Sequence, residues 1–138
     1  VIHRDHERIK IKVIAGSFGS TVSPVKTFTP ITMYEVNGLA NSELEIPLSE
    51  GSNTLVVQLS GKSSIGNQPI LRGNLGIFSR TGSSILLKME EESKVLILNG
   101  EPIDEPIAAY GPFVMNTQKE VMEAFRDFQE GKMGNLVV

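Results

Sequence analysis

The sequence predicts an all-β protein, an antiparallel sandwich or barrel with one short helix near its C-terminus. Short apolar stretches, several with alternating polar residues, recur along the chain, and turns rich in glycine, serine and asparagine separate them. Only one segment has the period of an amphipathic helix. With 138 residues the chain is long enough to form one domain with a buried core.

The strands are predicted from apolar runs and from residues that alternate in polarity, because strand side chains point to opposite faces in turn. Residues 43–48 show the clearest alternation, and residues 54–59 are nearly continuously apolar, which is typical of a central strand. A short strand is expected between the turns at Ser60-Gly61 and Gly66-Asn67. The remaining strands are expected at residues 9–13, 31–36, 70–78, 84–89 and 94–98.

A proline-rich segment follows the last strand. That strand ends at Asn99-Gly100, a pair that favours a turn. Pro102, Pro106 and Pro112 then keep about a dozen residues out of helix, since proline lacks the amide donor and biases the residue before it towards extended backbone.

The predicted helix begins after Thr117. Thr117 and Glu120 have the spacing of a capping box, in which each side chain satisfies an unpaired backbone amide. Gly131 occupies the position that often ends a helix. The residues with helical spacing on one apolar face are Val121, Ala124, Phe125 and Phe128.

Composition and charge exclude several functions. The net charge is −3, and no long basic run is present, so we expect no direct binding to nucleic acid or to an anionic membrane. The chain contains no cysteine, which excludes disulfides, a thiolate nucleophile and cysteine-based metal sites. No apolar run approaches the roughly 20 residues of a membrane helix.

Four motifs near the C-terminus closely resemble the C-terminal end of the pirin family. They are Gly100-Glu101-Pro102, Glu105-Pro106, the run YGPFVMNT from Tyr110 to Thr117, and Ala124-Phe125-Arg126-Asp127. Pirins are proteins of two cupin domains, and the resemblance runs from about Ile9 to Gly134, through the second domain. It implies a jelly-roll cupin sandwich, whereas periodicity alone does not separate that fold from other antiparallel sandwiches.

The resemblance also implies a metal site that this half lacks. In pirins, three histidines and a glutamate of the N-terminal domain hold iron or a similar divalent metal. The cupin motifs can be aligned here on the turn glycines Gly51, Gly61, Gly73 and Gly82. The residues then found at the four ligand positions are Pro47, Ser49, Asn53 and Ile85. We therefore expect no metal or other cofactor in this chain, and a metal in the missing N-terminal domain.

Two short motifs could suggest other ligands. His3 and His6, the only histidines, are followed by Glu7, and a surface metal site is conceivable there, although two solvated histidines at a chain end are the simpler interpretation. Ser60-Gly61-Lys62-Ser63 resembles the end of a phosphate loop. The glycine expected five residues earlier is missing, since Val56 stands there, so a surface turn is favoured.

Acidic pairs and runs are equally weak signals. Glu90-Glu91-Glu92 lies between two strands without the ligand spacing of a calcium loop, which favours a solvated turn. Asp104 and Glu105 are neighbours in an extended loop, where adjacent side chains point apart. With both histidines at the N-terminus and no G-x-S-x-G motif, no catalytic triad is indicated, and we predict no catalytic residue.

One segment is predicted to make contacts. It gathers a tyrosine, a phenylalanine and a methionine around a proline, which is typical of an interface or of a core. Either it covers an open face of the sandwich with the helix, or it packs against the missing N-terminal domain; both interpretations stay open. The residues are Tyr110, Pro112, Phe113, Val114 and Met115. Lys10, Lys12, Arg126 and Lys132 could add charge to a partner surface, but a solvated polar face explains them equally well.

The domain boundaries follow from the same features. We expect a linker or mobile segment over residues 1–8, a pirin-type cupin domain over residues 9–134, and a tail over residues 135–138. Because the chain starts at Val1, a fragment or processed piece of a longer protein is the simplest expectation. A cytoplasmic location is expected, or a nuclear one in a eukaryotic cell.

Three functions remain open. The favoured one is a non-catalytic domain that supports the metal-bearing N-terminal cupin and offers a surface to protein partners. The resemblance also implies that the parent could be a quercetin (flavonoid) dioxygenase, or a redox-sensitive transcription cofactor as other pirins are. The third is a free-standing, metal-free cupin that binds a sugar or another small ligand.

Overall fold

The structure is a computed structural model that describes residues 2–4 and 7–134. These residues form two compact units, one that ends at Pro102 and one that begins at Ile103. We call them the sandwich unit and the hairpin–helix unit. The sequence predicted one domain over residues 9–134, and the division falls at the start of the proline-rich segment.

The sandwich unit consists of twelve strands among its described residues. In chain order they are β1 (Ile2–Arg4), β2 (Ile9–Ala15), β3 (Ser17–Phe18), β4 (Thr21–Val22), β5 (Ile31–Gly38), β6 (Ser42–Pro47), β7 (Asn53–Ser60), β8 (Lys62–Ile65), β9 (Gln68–Leu71), β10 (Leu75–Phe78), β11 (Ser84–Met89) and β12 (Ser93–Gly100).

Two antiparallel sheets contain most of these strands. The larger has six strands in the order β1-β2-β5-β12-β7-β10, and the smaller has four in the order β6-β11-β8-β9. Strands β3 and β4 form a separate ribbon. Several neighbours, such as β5 and β12, are far apart in sequence, so the pairing is largely non-local. This arrangement confirms the predicted antiparallel β-sandwich.

The core lies between the two sheets. Alternation decides which side chains enter it: in β6, Ser42, Leu44 and Ile46 are buried whereas the glutamates between them are exposed. Buried side chains of β6 and β11 belong to the same apolar cluster as those of β2, β5, β7 and β12. The two inner faces therefore pack on each other.

Strand β12 is the centre of the larger sheet. It pairs with β5 along its whole length, from Ser93 opposite Gly38 to Gly100 opposite Ile31, and with β7 on its other side. Its inward side chains Val95, Ile97 and Asn99 are buried. The central strand thus fixes the register of both neighbours.

Buried polar groups of the sandwich unit are hydrogen-bonded. The Gln58 amide donates to the Ser60 carbonyl oxygen at 2.8 Å and accepts from the Ser63 hydroxyl. The Tyr34 hydroxyl donates to the Ser17 carbonyl oxygen, and burial raises the pKa of that phenol. Such pairing offsets the cost of removing polar groups from water.

The hairpin–helix unit contains β13 (Ala108–Tyr110), β14 (Phe113–Met115) and α1 (Gln118–Gln129). The predicted helix cap is confirmed: the Glu120 amide donates to the Thr117 hydroxyl at 3.2 Å, and the Thr117 amide donates to the Glu120 carboxylate at 2.8 Å. Gly131 follows the helix with a φ of 73°. Within the described ranges, no helix has the length and apolar character needed to cross a bilayer.

The predicted apolar face of the helix is only partly covered. Val121 and Ala124 are buried, as expected, and Phe125 is half-buried. Phe128 was expected on the same buried face but is 63% exposed. Helical spacing identifies which residues share a face, but it does not determine how far packing extends along that face.

Three local predictions were wrong. Residues 2–4, expected in a linker, form β1, which pairs with β2 and places Ile2 opposite Ile11. The single strand expected at residues 70–78 is two strands, β9 and β10, because a turn with Gly73 at positive φ interrupts it. The expected proline-rich loop contains the hairpin of β13 and β14. Short strands of this kind lack enough residues to show a period.

We predict that Gly61→Ala destabilises the fold more than Gly66→Ala. Both glycines have positive φ, 73° and 59°, so alanine costs about 1 kcal/mol at either position. A Cβ at Gly61 would also lie 2.1 Å from the Glu92 carbonyl oxygen, whereas a Cβ at Gly66 meets nothing within 4 Å. The additional loss is expected to be about 2 kcal/mol in the free energy of unfolding, measured with urea. Equal losses in the free energy of unfolding for the two variants would show that the close contact at Gly61 does not matter for stability.

Candidate functional site

A cavity of about 350 Å³ opens at one end of the sandwich unit. Its walls come from the loop that joins β6 to β7, residues 48–52, and from the loop that joins β10 to β11, residues 79–83. Hydroxyl-bearing side chains and one arginine, Arg80, line the cavity together with apolar residues. The hydroxyls belong to Ser49, Ser52, Thr54, Ser79, Thr81 and Ser84, and the larger apolar side chains to Leu48, Ile65, Phe78, Ile85 and Leu86.

Three hydrogen bonds hold the two loops together. The Leu48 amide donates to the Ser83 carbonyl oxygen and the Gly51 amide donates to the Arg80 carbonyl oxygen, each at 2.8 Å. The Arg80 Nε donates to the Asn53 Oδ1 at 2.9 Å. The backbone and the side chain of Arg80 are therefore both attached to the loop region on the opposite wall.

The inner part of the cavity contains polar groups from the strands. Thr54, at the start of β7, is only 4% exposed, and its hydroxyl accepts a hydrogen bond from the Asn99 amide at 3.0 Å. The same amide lies 3.3 Å from the Asn53 carbonyl oxygen, to which it donates. Asn99 belongs to β12, so the central strand fixes this wall.

The structure separates the four residues that stand at the predicted ligand positions. Ser49 and Ile85 line the cavity. Pro47 is exposed at the end of β6, where it pairs with Ser84, and Asn53 is exposed and binds Arg80. Alternation along β7 explains the position of Asn53, since its neighbours Ser52 and Thr54 are the residues that face inward.

The residues around this cavity do not fit a divalent metal. Iron-type sites in proteins use imidazole, carboxylate or thiolate ligands. The lining offers hydroxyl groups and a guanidinium, whose positive charge opposes a cation. Within residues 2–4 and 7–134, no three histidine, cysteine, aspartate or glutamate side chains are grouped so that they could hold a metal.

The motif at the N-terminus is only partly described. The backbone of His3 belongs to β1 and pairs with Lys10, and His6 lies outside the described residues. Glu7 is exposed and has a φ of 69°. The interpretation of the histidines therefore stays a prediction.

The two motifs around Lys62 and Glu90 belong to neighbouring turns. Ser60-Gly61-Lys62-Ser63 joins β7 to β8, and Lys62 and Ser63 already belong to β8, which agrees with a turn between strands and not with a phosphate loop that opens a helix. Lys62 Nζ lies 2.5 Å from the Glu90 carboxylate. Hydrogen bonding to Lys62 lowers the pKa of Glu90, and the same contact raises the pKa of Lys62. Both groups are solvent-exposed, so the pair contributes little to stability.

The predicted contact segment forms most of the hairpin in the hairpin–helix unit. Tyr110 and Phe113 face the helix, with ring centroids 5.3 Å and 4.8 Å from that of Phe125. The ring centroid of Phe113 also lies 6.3 Å from that of Phe128.

The other residues of the segment differ in exposure. Pro112 stands at the exposed turn, Met115 is half-buried, and Val114 is 65% exposed. The segment therefore has one aromatic side against the helix and one exposed apolar residue on the other side.

A groove of about 570 Å³ runs along this hairpin–helix unit. It is lined by Tyr110 and by residues of α1, among them Met122, Phe125 and Arg126. Ile107 and Val114 are further apolar side chains exposed on the unit. Exposed apolar residues such as Tyr110 and Met122 in this groove are typical of an interaction surface.

The other charged candidates have local partners. Glu105 accepts a hydrogen bond from the Asn116 amide at 2.7 Å, while Asp104 is exposed. Lys132 forms ion pairs with Glu130 and Asp127, at 2.6 Å and 3.0 Å, and these contacts raise its pKa. Because Glu105 and Lys132 are paired with neighbouring residues, their presence does not indicate a ligand-binding site.

Lys10 and Lys12 lie on the exposed side of β2, near Glu35 of β5. The pKa of Glu35 is lowered, first by the hydrogen bond from Asn37 and then by nearby lysines that include these two. The two lysines therefore belong to a mixed-charge face.

Arg80 is the residue that the sequence reasoning missed. A signal was present, because Arg80 is the only charged residue between Gly73 and Leu87 and it stands in a turn, Ser79-Arg80-Thr81-Gly82. A lone charge in a turn next to buried strands can indicate a binding group. Its partner Asn53 lies 27 positions earlier, so only the fold shows that the two side chains meet.

Two facing antiparallel sheets with a cavity between loops at one end agree with the architecture of the cupin class. The sequence profile of the pirin C-terminal cupin domain matches residues 33–134. The chain belongs to this family, as the C-terminal motifs predicted.

Relatives and solved structures agree with this assignment. Pirin-1 of Arabidopsis thaliana is 34% identical over 144 residues, which cover 91% of this chain and 46% of that protein. A pirin-like protein of Caulobacter vibrioides is 30% identical over 126 residues, with 90% of this chain and 45% of that protein covered. A crystal structure of quercetin 2,3-dioxygenase from Acinetobacter baumannii superposes with a TM-score of 0.88 and 36% identity, over 96% of this chain and 46% of that one. The chain spans about half the length of the curated relatives it matches.

Proposed function

We propose that this chain is the metal-free half of a two-domain pirin, which supports a metal-bearing N-terminal cupin domain and offers a surface for protein contacts. The observation that carries the proposal is the composition of the sandwich cavity. Its lining combines hydroxyl groups, apolar side chains and the cation of Arg80. This set favours a structural role over metal-based oxidation.

The contacts made by the residues at the predicted ligand positions also support a metal-free role. Asn53, aligned with a metal-binding glutamate, instead accepts a hydrogen bond from Arg80. Ile85, aligned with a histidine, contributes to the apolar core. These residues stabilise the sandwich, and among the residues that the structure describes no acidic or imidazole group lines the cavity.

The length of the relatives supports the existence of a partner domain. The matched regions make up 43% and 48% of the first two relatives. In the proposed arrangement the remaining half is the N-terminal cupin domain of the same protein. Exposed apolar residues of the hairpin–helix unit, Val114 and Met122 among them, are suited to bury surface against it.

We predict that the isolated chain retains much less than one iron per molecule after loading with ferrous iron and desalting. The physical reason is that hydroxyl groups and a guanidinium are poor ligands for a divalent metal. Elemental analysis by mass spectrometry measures the metal content.

The matched control is the variant His3→Ala/His6→Ala, which removes both imidazoles. Iron retained by the original chain and lost in this variant would locate the metal at the N-terminus, and the cavity would still be metal-free. One iron per molecule in both proteins would refute the metal-free assignment.

We further predict that Val114→Ser destabilises the full-length protein but not the isolated chain. In the full-length protein Val114 would be buried against the N-terminal domain, and loss of this contact is expected to cost about 1 kcal/mol. Thermal unfolding of both proteins, each with and without the substitution, measures the difference.

Val22→Ser is the matched control, because Val22 is similarly exposed, at 72%, and belongs to the ribbon of β3 and β4. It is expected to change neither protein. If Val114→Ser has the same effect in the full-length protein as in the isolated chain, Val114 does not contact the other domain.

A second candidate function concerns the parent protein. The solved structure that matches at 36% identity is that of a quercetin 2,3-dioxygenase. A parent with that activity would use a metal in its N-terminal domain, and this chain would contribute to stability and domain packing. Oxygen uptake with quercetin by the full-length protein, and none by this chain alone, distinguishes an enzymatic parent from a purely interacting one.

A further inference from the structure

We propose that the sandwich cavity is a binding site for a small organic monocarboxylate whose apolar part is about the size of a benzene ring. The ligand would bind Arg80 through its carboxylate and the apolar floor of the cavity through its body. In the proposed site the guanidinium of Arg80 provides the positive charge that a metal provides in other cupins.

Arg80 is held in place without being neutralised. Its Nε donates to a neutral amide oxygen, that of Asn53, and its backbone carbonyl oxygen accepts from Gly51. In the described part of the chain, no carboxylate forms an ion pair with Arg80 and none lines the cavity. The two terminal nitrogens therefore remain available to bind a carboxylate, which matches the planar fork of a guanidinium.

Further polar groups lie beside the arginine. Ser52 is only 8% exposed, and it contributes to the cavity lining. Ser49 lines the same wall, from the same loop. These hydroxyls could donate to the second carboxylate oxygen or bind a hydroxyl group of the ligand.

The lining also contains apolar side chains. Leu48, Ile65, Phe78 and Ile85 come from the ends of strands in both sheets and from the loop after β6. A cavity that combines apolar side chains with polar groups at defined positions is typical of a small-molecule site. This apolar surface favours an organic acid over inorganic phosphate.

Size and charge narrow the ligand class further. The volume of about 350 Å³ lies at the lower end of the range for small-molecule sites. A single guanidinium matches the charge and the planar shape of one carboxylate. The inference goes beyond the proposed structural role and does not depend on it, since a carboxylate can bind here whether or not another domain is attached.

The experiment is a titration of the isotope-labelled chain with benzoate, followed by ¹H–¹⁵N NMR. We expect saturable shifts of amides in residues 48–54 and 78–86. Benzamide, which has the same shape without the charge, is expected to bind about tenfold more weakly or worse, because hydrogen bonds to charged groups are the stronger ones. Inorganic phosphate and acetate, which lack the ring, are expected to bind more weakly than benzoate.

Substitutions at two arginines give the matched comparison. Arg80→Gln is expected to weaken benzoate binding about tenfold or more. Arg80→Lys is expected to weaken it less, because lysine keeps the positive charge but loses the two parallel hydrogen bonds of a guanidinium. Arg72→Gln removes an exposed arginine outside the cavity lining and is expected to leave binding unchanged. Thermal unfolding and the NMR spectrum of each variant establish that it is folded.

Each contrary outcome overturns a specific part of the proposal. If no saturable shifts occur, or if they occur only outside the two loops, the cavity is not the site. Equal affinities for Arg80→Gln and Arg72→Gln, or for benzoate and benzamide, would remove Arg80 as the carboxylate-binding group. Phosphate binding as tight as that of benzoate would show that the apolar floor does not select the ligand.

Discussion

The pairing of β12 with β5 on one side and β7 on the other is the constraint on which the sandwich depends. This pairing aligns the inward side chains of three strands, and the buried cluster includes Val36, Val56 and Val95. The same strand carries Asn99, whose amide binds the Thr54 hydroxyl beside the cavity. Because strand side chains alternate, the register that builds the core also determines which residues of β7 reach the cavity.

That register gives the cavity its chemistry. Ser52 and Thr54 face inward, and Asn53 between them points outwards and binds Arg80. The lining of this cavity combines Arg80 and hydroxyl groups with apolar side chains. In the proposed site a side chain, Arg80, provides the charge, which fits the general rule that function depends on the site and not on the fold.

The sequence predicted best where residues close in the chain determine the structure. The strand expected at residues 84–89 matches β11, and the capping box of Thr117 and Glu120 is confirmed, because alternation and capping depend only on near neighbours. Strand β1 and the hairpin at residues 108–115 were missed, since each strand is only three residues long. The contact between Arg80 and Asn53 could not be predicted, because it joins the loop after β10 to the start of β7, which only the non-local pairing of strands brings together.

In the proposed site the charge of Arg80 takes the place of a metal. The most direct test is a crystal structure of the chain grown with both ferrous salt and benzoate, with diffraction data collected at the iron absorption edge. We expect benzoate electron density with its carboxylate on the Arg80 guanidinium, and no anomalous peak between the loops at residues 48–52 and 79–83. An anomalous iron peak in the cavity, coordinated by Ser49 or Ser52, would contradict the claim.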